Sequence, residues 1–447
     1  MTRAGDIAAD VEVVASTAAG PARAEAASGD APRLWRNRDF MFLWTGETIS
    51  ALGSSMSSFV YPIVGYSLTG SATEAALAGT SYLLGGVTTR LPAGALVDRW
   101  NRKVTMALSA AAGMLLYGTL AAAMVLGRLT LTHLLVTAFL TGVARAFFEP
   151  AEAAAVRRVV PAGQLPAALS QNEARQHAAR LVGPPAGGLL YAVARWLPFL
   201  ADAVSYAATL VAVLLLRSPL RAPEGRPGPA TIRRDVAEGL RFLLSRSFFR
   251  AVAISATLIN FAVTALFLVL TLKLLRAGVH PAAIGSIETI GAVAGIAGAV
   301  LAPALVRRVP TGRLVVAGCV PMLVGLAPMA FTDDVPLIGG LLAVALLCLP
   351  AINAAIYAYL LAITPDRLQG RVNAGLMFSS TAAQPAGPMV GGFLLALFGG
   401  LPAMLLVTAV MAVGVLALAL NPEVRRLPSP AQWDTAAPAR PQATERM

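Results

Sequence analysis

Apolar runs of about 20 residues, the length that crosses a bilayer as a helix, recur along the chain and alternate with short loops rich in Gly, Pro and basic residues. The pattern predicts an all-α membrane protein with twelve transmembrane helices. The spans fall over residues 40–66, 74–97, 104–126, 130–149, 168–192, 197–216, 248–272, 281–306, 314–331, 336–362, 372–398 and 401–420. Two are less uniform than the rest: the sixth contains Asp202, and the fifth is crowded with polar residues.

Loop charge fixes the count and the orientation. With both termini placed in the cytosol, the inner loops and flanks carry 23 Lys or Arg, against four (Arg128, Arg195, Lys273 and Arg276) on the outer side. A wrong span count would move every later loop to the opposite face and destroy this asymmetry. A multi-pass protein of the plasma membrane with both ends cytoplasmic is therefore expected.

Composition agrees. Of 447 residues, 57% are hydrophobic and only 13% charged. A soluble domain carries about 25% charged residues, so this chain lacks the polar surface to stay in solution. The net charge of +12 does not point to nucleic acid, because the basic residues lie in loops between apolar runs. Cys319 and Cys348 stand in apolar stretches without a partner motif, so no disulfide framework, metal site or redox chemistry is expected. No cofactor motif occurs.

Residues 1–36 and 421–447 have the Ala- and Pro-rich composition of disordered cytosolic tails. Between them, residues 37–217 and 247–420 form two six-helix halves joined by a basic cytosolic loop, 218–246. The halves repeat. Pro161, Gly183, Pro184, Gly187 and Gly188 recur 204 positions later as Pro365, Gly387, Pro388, Gly391 and Gly392. Likewise Arg38-Asp39-Phe40 before the first span echoes Arg246-Ser247-Phe248 before the seventh, and Leu96-Val97-Asp98-Arg99 echoes Leu305-Val306-Arg307-Arg308. Parallel six-helix repeats place a substrate site between the halves near mid-membrane and permit alternating access by rocking.

Between spans two and three lies Gly94-Ala95-Leu96-Val97-Asp98-Arg99-Trp100-Asn101-Arg102-Lys103. Gly94 allows close approach of a neighbouring helix, Asp98 can cap another helix N-terminus, and Arg99, Arg102 and Lys103 can pair with acids on helix four. The alternative is that the bases only mark the cytosolic side. The stretch resembles the signature loop of the major facilitator superfamily, Gly-x-x-x-Asp-Arg/Lys-x-Gly-x-Arg/Lys-Arg/Lys, with Asn101 in place of the second glycine. The resemblance implies two pseudo-symmetric six-helix bundles, the major facilitator fold. It also implies a conformational latch in which Asp98 caps helix eleven near Arg371. Arg145 and Glu149, near the inner end of helix four, are read as part of that cytosolic network. In the second half Arg307 stands where Asp98 does, which confines the latch to the first.

The fifth span carries Gly183-Pro184-Pro185-Ala186-Gly187-Gly188. It resembles the end of a motif of facilitator-type exporters, Gly-Pro-x-x-Gly-Gly, although Ser170 and Ala179 replace glycines expected earlier; generic helix packing is the alternative reading. Leu68-Thr69-Gly70-Ser71-Ala72, Ala146-Phe147-Phe148-Glu149-Pro150 and Val160-Pro161-Ala162-Gly163-Gln164-Leu165-Pro166 resemble the drug:proton antiporter branch that includes enterobactin-exporter-like and macrolide-efflux-like proteins. The resemblance covers about residues 34–420 and implies export of a drug, siderophore or natural product.

Ionisable residues inside spans face a cavity or a partner. Glu47 lies ~10 Å above the inner edge on helix one and Arg90 at ~12 Å on helix two; they form a salt bridge, or Glu47 is a protonatable cavity residue tuned by Arg90. On helix five, Asn172, Gln176 and Arg180 share a face with Gly183 and Gly187. With Arg175 they either bind substrate or neighbour Glu173 and Glu152. Glu288 in helix eight aligns with Gly291, Gly295 and Ala299 and has no partner in the adjacent sequence. It is either a proton-coupling group or a buried hydrogen-bonded acid. Tyr61, Phe261, Phe267 and Tyr357 are candidates to line a cavity.

The function expected is export of an amphipathic small molecule by proton antiport. The partners are a small-molecule substrate, protons and the lipid bilayer, with no nucleic acid and no cofactor, and the chain acts as a monomer rather than as an enzyme. A metabolite importer or facilitator, and a non-transporting sensor on the same fold, are the alternatives.

Overall fold

Helix starts along the chain are set by side chains that accept from the first free backbone N–H groups. Asn37 accepts from Phe40 N at 3.1 Å, Asn101 from Lys103 N at 3.0 Å, Thr130 from His133 N at 3.2 Å and Asp334 from Leu337 N at 2.8 Å. Gly70, with φ 69°, ends the first helix in the left-handed conformation that favours glycine. In the computed structural model, which describes residues 34–220, 241, 247–364 and 366–427, such signals delimit a nearly all-helical chain.

The first half contains α1 (Arg38–Thr69), α2 (Ala72–Val97), α3 (Arg102–Val125), α4 (Leu131–Val159), α5 (Leu165–Val193) and α6 (Leu197–Leu214). The second contains α7 (Ser247–Arg276), α8 (Pro281–Arg308), α9 (Thr311–Leu326), α10 (Val335–Leu347), α11 (Leu349–Ile363), α12 (Asp366–Ala382), α13 (Ala386–Phe398) and α14 (Gly400–Ala419), and Pro422–Arg425 forms a short α15. The tenth span is thus two pieces, α10 and α11, joined at Cys348 with Pro350 in the first turn of the second. The eleventh, α12 and α13, is interrupted next to Pro385. Proline lacks the N–H that would continue the ladder.

The expected span limits differ most at helix four. Its apolar run stops at Glu149-Pro150, but the helix continues through Pro150 to Val159, because the Ala-rich segment that follows is a strong helix former. Residues 34–36 and 421–427, which composition assigns to the tails, carry short helical turns. Leu34–Arg36 is a 3-10 turn, and the Glu423 carboxylate accepts from Phe248 N at 2.7 Å at the start of α7. Asp39 plays the matching part in the first half, accepting from Arg217 N and Ser218 N after α6. Each half therefore ties its first helix to the segment after its last. Most of the central loop, the rest of both tails and Pro365 lie outside the described residues.

Among the described residues, nine helices are long and apolar enough to cross a membrane by length and composition alone. Of the twelve spans, α1, α2 and α5 are not among the nine, and these three carry many of the polar residues of the site. Apolar side chains such as Leu108, Leu115, Val193 and Val300 point outward and are exposed, as lipid contact requires.

Within the first half α1 packs on α5 and α6, α2 on α4, and α3 on α4 and α6; in the second, α7 packs on α13 and α14, and α8 on α10 and α11. Between the halves, α5 meets α8, α2 meets α13, and α1 touches α7.

Candidate functional site

The repeated glycine motif sits at two of these contacts between the halves. Gly187 lies against Met56 of α1 and Gly391 against Ala265 of α7, each within its own half. One residue on, Gly188 faces the Pro281 carbonyl of α8, and Gly392 faces the Ala72 carbonyl of α2, each across the interface. Gly285 of α8 returns the contact: a Cβ there would stand 2.6 Å from the Pro184 carbonyl oxygen. Thr289 Oγ1 donates to the Leu181 carbonyl at 2.7 Å. Ala72 and Pro281 begin their helices at the end of the bundle away from Arg38 and Ser247, the starts of α1 and α7. The halves are held together at that end.

Between them lies a cavity of about 590 Å3, walled by α1, α2 and α5 on one side and by α7, α8, α10 and α13 on the other. Tyr61, Pro62, Phe267 and Leu346 contribute to an apolar lining. Two charged residues face it, Arg180 from the first half and Glu288 from the second. Among the described residues, none makes a hydrogen bond or ion pair with Glu288.

Beside this cavity the first half holds a polar pocket of about 230 Å3, with Ser54, Ser55, Ser58, Arg145, Glu149, Gln176 and Arg180 in its walls. Gln176 and Arg180, one turn apart on the helix-five stripe, meet there. Asn172 is half-buried and lines neither space. Arg175 points elsewhere. It is buried and pairs with Glu152 of α4 at 3.0 Å, a structural tie rather than a cavity contact. Tyr357 is exposed, and neither it nor Phe261 lines either space.

Of the two readings of Glu47 and Arg90, the salt bridge between them does not form. Arg90 pairs with Glu149 at 3.1 Å, and Glu47, almost fully buried, faces Arg145 at 3.9 Å. Arg145 also binds Glu149 at 2.9 Å. The reason lies in how α2 is seated: Gly85 meets the α4 backbone at Phe139, and Gly142 meets the α2 backbone at Tyr82. With α2 pressed against α4, Arg90 reaches Glu149 rather than α1. Sequence pattern assigns Arg145 to the cytosolic network near the inner end of helix four; in the structure its ion-pair partners are Glu47 and Glu149. Since α4 continues to Val159, Arg145 lies ~21 Å from the helix end, at the centre of a charge network with Glu47, Glu149 and Arg90.

The signature loop is anchored within the first half. Lys103 Nζ donates to the carbonyls of Leu214 and Leu216 at 3.0 and 2.7 Å, closing the C-terminus of α6. The acids of α4 expected to meet the loop bases are engaged by Arg90, Arg145 and Arg175. Asn101, the departure from the signature, is the N-cap of α3. A Cβ on Gly94 would meet nothing within 4 Å, so no neighbouring helix requires a glycine there. Asp98 and Arg99 are exposed at the loop, Arg102 is buried, and the Arg371 side chain lies outside what is described.

Sequence pattern marks Asp202 only as a polar interruption of a span. In the structure it is completely buried on α6, against Gly53 of α1. The polar face of α1 is likewise absent from the expectations, although Ser50, Ser54 and Ser58 recur at one-turn spacing and could have signalled it.

Over residues 43–349 and 256–444 the sequence matches the Major Facilitator Superfamily. The chain belongs to this superfamily. It is a multi-pass membrane transporter, not an enzyme. Among similar proteins, the multidrug efflux pump Tap of Mycobacterium tuberculosis is 29% identical over 373 residues, covering 80% of this chain and 87% of that one. Multidrug resistance protein 1 of Bacillus subtilis is 30% identical over 135 residues, 30% of this chain and 33% of that one. In fold, the facilitator is similar to a bacterial homolog of the human lysosomal transporter Spinster in an inward-facing, unoccupied conformation. That likeness has a TM-score of 0.65 at 15% identity and covers 91% of this chain and 98% of that one. A bacterial homologue of the iron transporter ferroportin, inward-facing, gives a TM-score of 0.62 at 18% identity over 85% and 98% of the two chains.

Proposed function

We propose that this facilitator exports amphipathic small molecules (drugs, siderophores or natural products) by proton antiport with alternating access. It acts as a monomer in the plasma membrane, with both termini cytoplasmic. The observation that carries the reading is the cavity shared by both halves, apolar on most of its walls, with the Glu288 carboxyl facing it and unpaired among the described residues. An apolar wall suits the body of an amphipathic molecule, and a carboxyl without a counter-ion suits a group that exchanges a proton. Residues 37–217 and 247–420 are the two rocking bodies. The α5–α8 and α2–α13 contacts close one end, and parting them opens the cavity to the other side of the membrane. Likeness to a multidrug efflux pump over 80% of the chain favours the outward direction. Glu47, facing Arg145, is the coupling group of the first half, and Asp98 with its loop is the latch.

Efflux from expressing cells against a panel of amphipathic compounds, with and without a protonophore, tests this. Export abolished by the protonophore is expected. Uptake would favour an importer, and no movement of any compound would favour a sensor.

A further inference from the structure

The Asp202 carboxyl is wholly buried inside the first half. Ser205 Oγ donates to its Oδ1 at 2.9 Å. The Ser57 and Tyr117 hydroxyls are near neighbours, but Oδ2 makes no hydrogen bond to a described residue. A Cβ on Gly53 of α1 would stand 2.5 Å from Oδ1, so the first and sixth helices close directly over this group. The titratable groups set around it are Tyr61 of α1, Tyr82 of α2, Tyr117 of α3, Arg145 of α4 and Tyr206 of α6, with Tyr191 of α5 in the same buried cluster. Arg145 spends its ion pairs on Glu47 and Glu149 and acts on Asp202 only from further away. A carboxylate buried among rings, with no cation at ion-pair distance, is far more costly than a protonated acid.

Hydroxyl side chains lie between this acid and the polar pocket. Tyr206 lies one turn beyond Asp202 on α6, and its hydroxyl accepts from Ser54 Oγ at 3.2 Å. Ser54 lines the pocket that holds Arg145 and Glu149, and Tyr206 also walls the small space occupied by Glu47 and Arg145. Along α1, Gly53 stands ~9 Å beyond Glu47, toward the end where the halves are closed. The two acids therefore sit at successive depths in one half, with hydroxyl groups between them.

We infer that Asp202 is a second proton-binding group of the first half, lying beyond Glu47 and exchanging its proton with the Arg145 pocket through the Tyr206–Ser54 hydroxyl pair. The proton leaves Asp202 as the carboxyl O–H bond breaks, and an O–H bond forms on a solvent water reaching the Arg145 pocket. In the protonated state α1 and α6 pack as seen; loss of the proton leaves an anion under Gly53 and drives the two helices apart. The inference rests on the proton-antiport reading above.

The test is the proton-to-substrate ratio of the full chain in proteoliposomes, read from the pH gradient that just halts net substrate flux. Asp202→Asn is expected to bind substrate with wild-type affinity while moving one proton fewer per substrate. A wild-type ratio in that variant overturns the inference and leaves antiport standing. If the wild type itself moves no protons with substrate, both readings fall. Should Asp202→Asn not reach the membrane, Tyr206→Phe replaces it, since it keeps the ring and removes only the hydroxyl. Proton release on substrate binding is then expected to slow several-fold at unchanged substrate affinity, and an unchanged rate contradicts the route.

Discussion

Gly188 of α5 and Pro281 of α8 are in such close contact that a Cβ on Gly188 would stand 2.6 Å from the Pro281 carbonyl oxygen. The equivalent glycine of the second half, Gly392, holds the equivalent place against Ala72 of α2. The same motif thus contributes one contact from each half to the closed end of the molecule, and the last glycine is the one that crosses.

Gly188→Val should accordingly keep the halves from meeting at that end, because the conflict is with backbone rather than with a side chain that can turn aside. We expect membrane levels near wild type and efflux reduced ~10-fold, a change in barrier of about 1.4 kcal/mol. Gly163→Val, in the 3-10 turn before α5 where a Cβ would meet nothing within 4 Å, is the control. Equal efflux from both variants would remove the contact from the transport cycle.

Arg175 and Glu152 test the structural side of the charge network. Both side chains are nearly inaccessible and pair at 3.0 Å. Removing one partner strands the other, at a cost of about 3–5 kcal/mol. Thermal unfolding in detergent should show a large loss for Arg175→Met and a smaller one for Arg175→Met combined with Glu152→Gln. If the double variant is no more stable than the single one, the pair is not what holds α5 to α4.

Much of this architecture can be read from the chain itself. The number of spans, the repeat at 204 residues and the polar stripe of α5 follow from periodicity and loop charge, which are local properties. The charge pairs are less legible. Glu47 and Arg90 have comparable depth, and depth is all that rise per residue provides; which helix each side chain faces depends on where Gly85 and Gly142 allow α2 and α4 to touch. The extent of α4 escapes for a different reason, since hydropathy marks where apolar residues stop and not where the helix does. Asp202 looks like a flaw in a span because the group that closes over it, Gly53, belongs to α1 at the other end of the half.

Arg145 lies within ion-pair distance of both Glu47 and Glu149. Its replacement by Met leaves two acids without their shared cation, one of them almost wholly buried. We expect Arg145→Met to lose proton-dependent efflux, and Arg145→Lys to regain only part of it, because an ammonium cannot present the separate guanidinium nitrogens that reach the two acids. Full activity in Arg145→Met would place the network outside the coupling route.

For the signature loop, Asp98→Asn should slow transport of every substrate by a similar factor and leave substrate preference unchanged. Relative efflux rates across a compound panel check this. A variant that loses some substrates and keeps others would contradict the assignment of Asp98 to a latch.

The central claim is that export is driven by protons exchanged at Glu288 in the shared cavity. Its most direct test is the proton flux that accompanies substrate addition to proteoliposomes, compared between the wild type and Glu288→Gln at equal protein incorporation. The account expects substrate-dependent proton movement in the wild type and fewer protons moved per substrate in Glu288→Gln, with substrate still able to bind. Undiminished proton movement in the variant would contradict it.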